Sequence, residues 1–381
     1  MRWFHGHKRA LPWRTSRDPY RVWVAEVMLQ QTRVETVARR YPSFLRRFPS
    51  VRDLAAADES DVLKEWEGLG YYSRARHLRL AAREIEERYG GRFPTHPDQL
   101  RRLPGIGRYT AAAVASIAFN RPVAAVDGNV VRVVARLYGI AEPITRAAVQ
   151  RRIEELTQAL IPPGRAADFT EALMELGALV CTPGRPDCPS CPWIDACVAH
   201  KEGSAAQLPN RPKRRPPRLV HGAVAVVTRG GAEGSAQQSA SIQLSGPAAG
   251  AGGGRVLVVR RPPDGLLGGL WEFPWVEVAA DASPSSSADA VVHALRERHG
   301  VDVVVDGRLP DVSHVFSHLE WRLRVFTARA TEDPVDRHLL QGDAAGDGED
   351  PGLLWAAPEE LRRLAFGRAH RRIADAWLAR G

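Results

Sequence analysis

The stretch Leu103–Ala111, LPGIGRYTA, decides the fold of the first half of the chain. Two glycines two positions apart allow a tight turn whose backbone N–H groups point outward. The residues from Arg108 onward open an alanine-rich helix, and a helix N-terminus attracts anions through its unpaired N–H groups and its dipole. The stretch predicts two helices joined by a hairpin that contacts phosphates at Gly105 and Gly107. A plain connection between helices would use similar residues.

The charge of the chain is divided unevenly. Residues 1–218 hold 36 basic and 23 acidic side chains, a net charge of +13, whereas residues 219–381 hold 17 and 21, a net charge of −4. A basic first half favours a polyanion such as nucleic acid as its partner. Arginine outnumbers lysine 49 to 4, and a codon bias is the alternative explanation of that excess.

Length and composition limit the classes of protein that fit. The 381 residues are 44% hydrophobic and 25% charged, which is typical of a globular protein of two or three domains. No apolar run approaches the length of a membrane span, so no membrane association is expected. The N-terminal residues Met1–His5 lack the apolar core of a signal peptide, and we expect a cytoplasmic protein.

Helical periodicity dominates the chain up to about residue 200. Apolar residues recur three and four apart in Val22–Val37, Leu78–Tyr89, Thr110–Phe119, Val130–Tyr138 and Phe169–Leu179. The segment Leu208–Arg218 is rich in proline and arginine and does not continue a helix. We therefore predict an all-α domain over residues 1–200, a linker over 201–218 and a second domain over 219–381.

The pattern after the linker is that of an α+β domain. It predicts strands at His221–Thr228, Arg255–Arg260, Val301–Val305 and Leu319–Ala328, and a helix at Ala288–Arg298. Two segments, 230–254 and 341–350, hold too few apolar residues to offset the entropy of ordering, and we predict flexible insertions there.

All four cysteines lie within one short loop. Cys181, Cys188, Cys191 and Cys197 follow the spacing C-x6-C-x2-C-x5-C, with no histidine between them. Four thiols so close together in a cytoplasmic chain favour a metal centre over disulfides. Zinc and a [4Fe–4S] cluster both accept four thiolates, and the spacing alone leaves the two open.

Two carboxylates have distinct predicted surroundings. Glu26 is the only acid in the apolar run Val22–Leu29, and burial would raise its pKa and keep it protonated, as a general acid requires. Asp127 precedes a helix as its N-cap, where the helix end favours the ionised form. Together they match the needs of glycosidic bond cleavage. Taken singly, each is better explained by structure alone, Glu26 as an acid on the exposed edge of a helix and Asp127 as a capping acid.

These motifs together resemble a known family. Residues 8–200 resemble the helix–hairpin–helix DNA glycosylase superfamily with its iron–sulfur loop, which includes endonuclease III. Within it, five segments resemble the MutY-type adenine DNA glycosylases, namely Leu11–Arg14, Trp23–Thr32, Gly68–Arg76, Leu103–Ala111 and Val126–Val130. Arg261–Pro274 (RPPDGLLGGLWEFP) is similar to that family's C-terminal domain. The resemblance implies a multidomain protein, in which an all-α helix–hairpin–helix glycosylase domain with an iron–sulfur loop at 181–197 precedes an α+β Nudix-like domain.

The resemblance implies excision of adenine mispaired with 8-oxoguanine or guanine, after the adenine is flipped out of the duplex. It implies Glu26 as the acid and Asp127 as the carboxylate that stabilises the sugar cation, with Tyr109 and Asn129 in support. The residues implied to contact the adenine are Trp13, Arg14, Leu29 and Glu171. Those implied to surround the opposite base are Gln31, Thr32, Leu69, Tyr71, Ser317 and His318.

The resemblance also implies a cofactor and partners. The four cysteines would hold a [4Fe–4S] cluster, and the partner would be double-stranded DNA carrying A:8-oxoguanine or A:G mispairs. We expect a monomer that associates with the nucleoid through DNA.

At two places this chain differs from related enzymes, and each difference limits the reactions that the resemblance implies. Endonuclease III-type enzymes carry a lysine where this chain has Tyr109, and a tyrosine forms no Schiff base, so a monofunctional glycosylase is expected. The stretch Ala294–Gly300 has basic residues where a Nudix hydrolase needs magnesium-binding acids, which predicts recognition without hydrolysis. An endonuclease III-like enzyme for oxidised pyrimidines and a non-catalytic sensor of oxidised DNA are the alternatives.

Overall fold

The computed structural model describes residues 1–212, 216–229, 254–331 and 352–380. The predicted insertions at 230–254 and 341–350 lie outside these residues, except for Gly254. The chain divides into two compact units, Met1–Arg214 and Arg215–Gly381. None of the helices in the described ranges is long and apolar enough to cross a membrane.

The first unit is helical. Its helices are α1 Arg2–His7, α2 Pro19–Leu29, α3 Val34–Arg47, α4 Val51–Ala56, α5 Glu59–Glu65, α6 Ser73–Tyr89, α7 Pro97–Leu100, α8 Arg108–Phe119, α9 Gly128–Leu137, α10 Ala147–Ala159, α11 Ala166–Leu179 and α12 Val198–Lys201. Short 3₁₀ turns cover Pro12–Arg14, Cys188–Ser190 and Ile194–Ala196. The segment with the composition of a linker belongs in part to this unit, because Leu208 is buried and its carbonyl accepts a hydrogen bond from Arg136 Nε at 2.9 Å.

The prediction of one helix over Val22–Val37 was wrong. Helix α2 ends at Leu29 and α3 begins at Val34, and Gln31 between them has a φ of 56°. Val27 and Val37 are both buried, so the apolar periodicity runs across the break and conceals it. The break creates a loop, residues 30–33, that a continuous helix would not have.

Helices α9 and α11 pack closely where α9 begins. A Cβ added at Gly177 of α11 would lie 2.6 Å from the Cβ of Asn129 and 3.1 Å from its backbone carbons. Only a residue without a side chain allows this approach, which sets the position of the first turn of α9.

The second unit is built on a mixed seven-stranded sheet. Its elements are β1 Arg218–Arg229, β2 Arg255–Arg260, β3 Trp271–Glu272, β4 Trp275–Val278, α13 Pro284–His299, β5 Val303–Val315, β6 Leu319–Ala330, β7 Leu353–Ala356, α14 Pro358–Arg363 and α15 Arg368–Leu378. The strand order is β3-β2-β1-β6-β5, with β4 also paired to β1 and β7 to β2. Strand β1 runs parallel to β6 and antiparallel to β2 and β4.

Both faces of this sheet are covered. Val224 and Val226 of β1 pack in a cluster with Ile373 and Trp377 of α15. The alternate residues of β1 pack on the opposite face with Val291 and Leu295 of α13. The strand predicted at 301–305 continues to Val315. Its register with β6 shifts between Val305 and Gly307 and again between Leu309 and Val312, and the second shift contains Pro310, which an edge strand tolerates.

We expect Gly177→Ala to destabilise the helical unit by about 1–3 kcal/mol, because the new methyl group overlaps Asn129. Thermal melting followed by circular dichroism measures the loss. Gly6→Ala is the matched control, since a Cβ there meets no atom within 4 Å and alanine is the better helix former. An unchanged melting temperature for Gly177→Ala would contradict this account of the packing.

Candidate active site

Four helices of the first unit, α2, α8, α9 and α11, surround a cavity of about 730 Å³. The structure brings twelve of the sequence-predicted residues to its wall, namely Trp13, Arg14, Glu26, Leu29, Gln31, Thr32, Gly105, Gly107, Tyr109, Asp127, Asn129 and Glu171. These residues are far apart in the sequence, and the packing of the helices brings them to one cavity.

Glu26 lies on the buried side of α2 and is 6% exposed. The phenol of Tyr109 on α8 donates a hydrogen bond to its Oε2 at 2.5 Å. Burial raises the pKa of Glu26 to about 7, although the hydrogen bond from Tyr109 lowers it. Burial and the neighbouring Glu26 raise the pKa of Tyr109 well above its usual value, so the phenol keeps its proton and acts as a donor.

Asp127 caps the N-terminus of α9, as its position before Gly128 predicts. Its Oδ1 accepts hydrogen bonds from the backbone N–H of Asn129 at 2.9 Å and of Val130 at 2.7 Å, and its Oδ2 accepts one from Asn129 Nδ2 at 2.8 Å. Burial raises the pKa of Asp127, and the three hydrogen bonds and Arg132 oppose this effect.

The two acids differ in the donors that face them. Glu26 accepts a hydrogen bond from a neutral phenol, whereas Asp127 accepts three hydrogen bonds and has Arg132 nearby. Donors that point at a carboxylate stabilise its charged form. The donors therefore favour the charged form of Asp127 more than that of Glu26, and this difference within one cavity suits proton donation to a leaving group and stabilisation of a cation.

A buried ion-pair network on α11 lies beside the acids. Arg14 Nε is 3.5 Å from Glu171 Oε1, and its Nη2 is 2.9 Å from Glu175 Oε2. Arg9 Nη2 also contacts Glu175, at 2.8 Å. The two arginines hold the pKa of Glu175 down at about 2 against the effect of burial. Sequence reasoning missed Arg9 and Glu175, although Glu175 lies one helical turn from Glu171 on the same face.

Two loops meet at the rim of the cavity. Thr32 Oγ1 donates a hydrogen bond to the carbonyl of Leu69 at 3.1 Å, which joins the loop after α2 to the loop before α6. Leu69 is buried, whereas Tyr71 is 43% exposed and has a φ of 47°. The structure thus brings together the four residues of this unit that the resemblance places around the opposite base.

The hairpin is formed by residues 101–107, between α7 and α8. Gly105 has a φ of 70°, and a Cβ there would lie 2.4 Å from the Cβ of His77 on α6, so no other residue fits. Gly107 has an ordinary φ of −81° and is the N-cap of α8, with no side-chain cap hydrogen bond. No side chain of the N-cap therefore occupies the first N–H groups of α8, and the phosphate contact at this hairpin stays a prediction.

The four cysteines are free thiols whose residues line one cavity, together with Arg136, Leu176 and Trp193. Within the described part of the chain, no three His, Cys, Asp or Glu side chains converge closely enough to hold a single ion. Arg136 is 2% exposed, and its Nη1 lies 3.3 Å from Cys181 Sγ. Its Nη2 is buried without a hydrogen-bond partner among the described residues. A buried cation beside four thiols fits an anionic thiolate-bound centre.

Arg132 connects the cysteine loop to the acids. Its Nη2 donates to Asn129 Oδ1 at 2.8 Å and to the Gly177 carbonyl at 2.6 Å, and its Nε donates to the Cys181 carbonyl at 2.6 Å. Because Asn129 also donates to Asp127, one side chain links the loop to the carboxylate.

The remaining predicted residues lie in the second unit. Ser317 and His318 are exposed in the turn between β5 and β6, next to Phe316, whose ring packs against Trp321 at 4.8 Å. At the end of α13, Arg296 pairs with Asp302, and Glu297 pairs with His293 at 3.1 Å.

Comparison with known proteins agrees with this architecture. Residues 24–159 match the model of the HhH-GPD superfamily of base excision DNA repair proteins, and residues 249–376 match the NUDIX domain. The chain is therefore a multidomain base excision repair protein of the DNA glycosylase class.

The adenine DNA glycosylase of Rattus norvegicus is 35% identical over 421 residues, which cover 98% of this chain and 76% of the relative. The adenine DNA glycosylase of Homo sapiens is 35% identical over 407 residues, which cover 98% and 72%. The chain belongs to the adenine DNA glycosylase family. A solved thermostable thymine-DNA glycosylase is 31% identical and aligns with 53% of this chain and 93% of its own at a TM-score of 0.48.

We expect the rate of base release to fall as the pH rises through about 7. Glu26 can donate a proton only in its acid form, and its raised pKa places the loss of that form near neutrality. Single-turnover rates across the pH range measure the profile. A rate that stays flat from neutral into alkaline solution would exclude Glu26 as the proton donor.

Proposed function

We propose that this protein removes adenine opposite 8-oxoguanine or guanine in double-stranded DNA and leaves an abasic site. The observation that carries the proposal is the shared cavity of Glu26 and Asp127, with Tyr109 bonded to one acid and Asn129 to the other. The cavity opens beside the hairpin, whose backbone N–H groups suit the phosphates of the substrate strand.

The proposed reaction has two stages. Glu26 gives its proton to the flipped adenine, and the bond between the base and the deoxyribose breaks with its electron pair leaving on the adenine. The sugar becomes an oxocarbenium-like cation, which the carboxylate of Asp127 stabilises until water adds to it. The added water loses a proton, which restores the acid form of Glu26. Trp13, Arg14, Leu29 and Glu171 line the cavity and hold the adenine in this position.

Tyr109 supports a product that is an intact abasic strand. A lyase needs an amine in contact with the sugar, whereas the group at this place is a phenol that donates its proton to Glu26. This favours the adenine glycosylase over an endonuclease III-like glycosylase and lyase. The presence of both acids favours an enzyme over a non-catalytic sensor of oxidised DNA.

We also propose how the opposite base is recognised. Gln31, Thr32, Leu69 and Tyr71 form the contacts in the first unit, with Tyr71 as the exposed aromatic that enters the base stack. Ser317 and His318 form the contacts in the second unit. The protein acts as a monomer on DNA in the cytoplasm.

We expect Asp127→Asn to abolish adenine release while duplex binding is retained, because an amide cannot stabilise the sugar cation. Single-turnover assays on duplexes with A:8-oxoguanine, A:G and thymine glycol test the activity and its alternatives together. Asp98→Asn is the matched control, since that carboxylate is 71% exposed on α7, away from the cavity. Unchanged release by Asp127→Asn would refute the mechanism, and release of thymine glycol would favour the alternative enzyme.

A [4Fe–4S] cluster on the four cysteines is proposed as a structural centre. When bound, it would supply a covalent cross-link that closes the loop from Cys181 to Cys197, with Arg136 donating to the thiolate of Cys181. We expect Cys188→Ser to reduce iron content and visible absorbance and to lower the melting temperature. Ser190→Ala in the same loop is the control. Full iron content in Cys188→Ser would contradict this ligand set.

The second unit is proposed to recognise and not to hydrolyse. The last turn of α13 carries Arg296 and Arg298 where a magnesium site needs acids, and Glu297 is paired with His293. We expect no hydrolysis of 8-oxo-dGTP by the full chain with magnesium, measured by release of pyrophosphate. Turnover that exceeds a protein-free control would show that this unit is an active hydrolase.

A further inference from the structure

Arg74, in the first turn of α6, is the donor in six hydrogen bonds to two separate segments. One segment is the C-terminal end of α2 with the loop after it, and the other is the loop before α6. Its Nη1 donates to the carbonyls of Val27, Met28 and Gln30 at 2.6, 3.1 and 2.7 Å. Its Nη2 donates to the carbonyls of Leu69 and Gly70 at 3.0 and 2.8 Å and to Thr32 Oγ1 at 3.2 Å. The planar guanidinium therefore spans the end of α2 and the loop before α6.

Two of the acceptors are peptide carbonyls that directly precede residues with an unusual backbone conformation. The Gln30 carbonyl belongs to the peptide bond before Gln31, and the Gly70 carbonyl to the one before Tyr71. Gln31 and Tyr71 have φ values of 56° and 47°, in the left-handed region that side chains disfavour. Non-glycine residues persist there only when the surrounding structure fixes them. Arg74 donates a hydrogen bond to the carbonyl that precedes each of these two residues.

The acceptors are neutral, and this separates Arg74 from an ordinary ion pair. All six are backbone carbonyls or a hydroxyl, and three of them end α2, where the helix dipole favours a cation. The guanidinium also lies over the rings of Trp66 at 5.2 Å and Tyr71 at 5.7 Å. Burial lowers the pKa of Arg74 to about 10, which reflects how far the group is removed from water.

We propose that Arg74 is a positioning residue that fixes Gln31 and Tyr71 relative to each other and so sets discrimination of the base opposite the adenine. It takes no part in bond cleavage. This inference rests on the proposed function, because it deepens the recognition of the opposite base. Lysine keeps the charge but cannot reach both loops, since its ammonium has three donors at one point instead of a planar fork.

The test compares Arg74→Lys with Arg83→Lys in the full chain. Arg83 lies on the same helix and donates through Nε to the Ala55 carbonyl at 3.1 Å, away from both loops. Dissociation constants are measured on duplexes with a non-cleavable adenosine analogue opposite 8-oxoguanine or guanine, and single-turnover rates on the cleavable duplexes. Melting curves establish that each variant is folded.

We expect Arg74→Lys to reduce the preference for the 8-oxoguanine duplex by about tenfold, the loss typical of hydrogen bonds to a charged group. The maximal rate at saturating protein and its pH profile should remain those of the wild type, and Arg83→Lys should change neither. An equal loss on both duplexes, or a shifted pH profile, would overturn the proposal.

Two further results distinguish a failure of the inference about Arg74 from a failure of the proposed function. If Arg74→Lys does not fold, Gly70→Ala perturbs the same carbonyl with Arg74 intact, since Gly70 has a φ of 73° and no atom within 4 Å of an added Cβ. It must then show the same selective loss, and an equal loss on both duplexes overturns the proposal. If the wild type itself has no preference for 8-oxoguanine, the proposed specificity fails. Arg74 is then judged by the A:G dissociation constant, which must rise in Arg74→Lys and not in Arg83→Lys.

Discussion

The rest of the site depends on the burial of the Glu26 carboxyl group. Taking a carboxyl group out of water costs free energy unless it stays neutral or is fully hydrogen-bonded, and Glu26 receives one short hydrogen bond from Tyr109. That bond needs α2 and α8 side by side, and α8 supplies small residues, from Ala111 to Ala115, that are fully buried or nearly so. An apolar residue at position 26 would pack there at a lower cost in free energy. A buried glutamate at this place is the kind of exception that occurs at functional sites.

The chemistry then follows from unequal surroundings inside one cavity. Asp127 is partly buried, and two backbone N–H groups and the amide of Asn129 face it, whereas Glu26 is buried and faces a phenol. A helix N-terminus offers such donors only to the residue that caps it, which explains why the carboxylate sits before α9 and the acid within α2. The close approach of Gly177 holds Asn129, and Arg132 ties it to the cysteine loop. The unequal surroundings of the two acids are thus a result of helix packing as much as of the acids themselves.

The sequence predicts those parts of the molecule that depend on neighbouring residues, such as the apolar periodicity of a helix or the residue that caps it. Periodicity placed the long helices and the helix-to-sheet change, and the position of Asp127 before Gly128 predicted its cap. Periodicity failed at residues 30–33, because Val27 and Val37 face one core on either side of the break. It also gave no sign of the Arg9–Glu175 pair, whose members are 166 positions apart. Contacts at such separation depend on how helices dock, which local patterns do not encode.

Three arginines of the first unit, Arg9, Arg14 and Arg74, form two sets with different partners. Arg9 and Arg14 pair with carboxylates, and Arg14 is one of the charges that act on the pKa of Glu26. Arg74 binds carbonyls, which carry no net charge to be left unpaired and no proton to exchange. A change in the first set therefore alters the electrostatics of proton donation, whereas a change in the second alters loop geometry. The first set is held by Glu171 and Glu175 of α11, whereas the second is held by the C-terminal end of α2 and the loop before α6. Because the two sets are attached to different elements, the electrostatics of the cavity and the geometry of the loops can change separately.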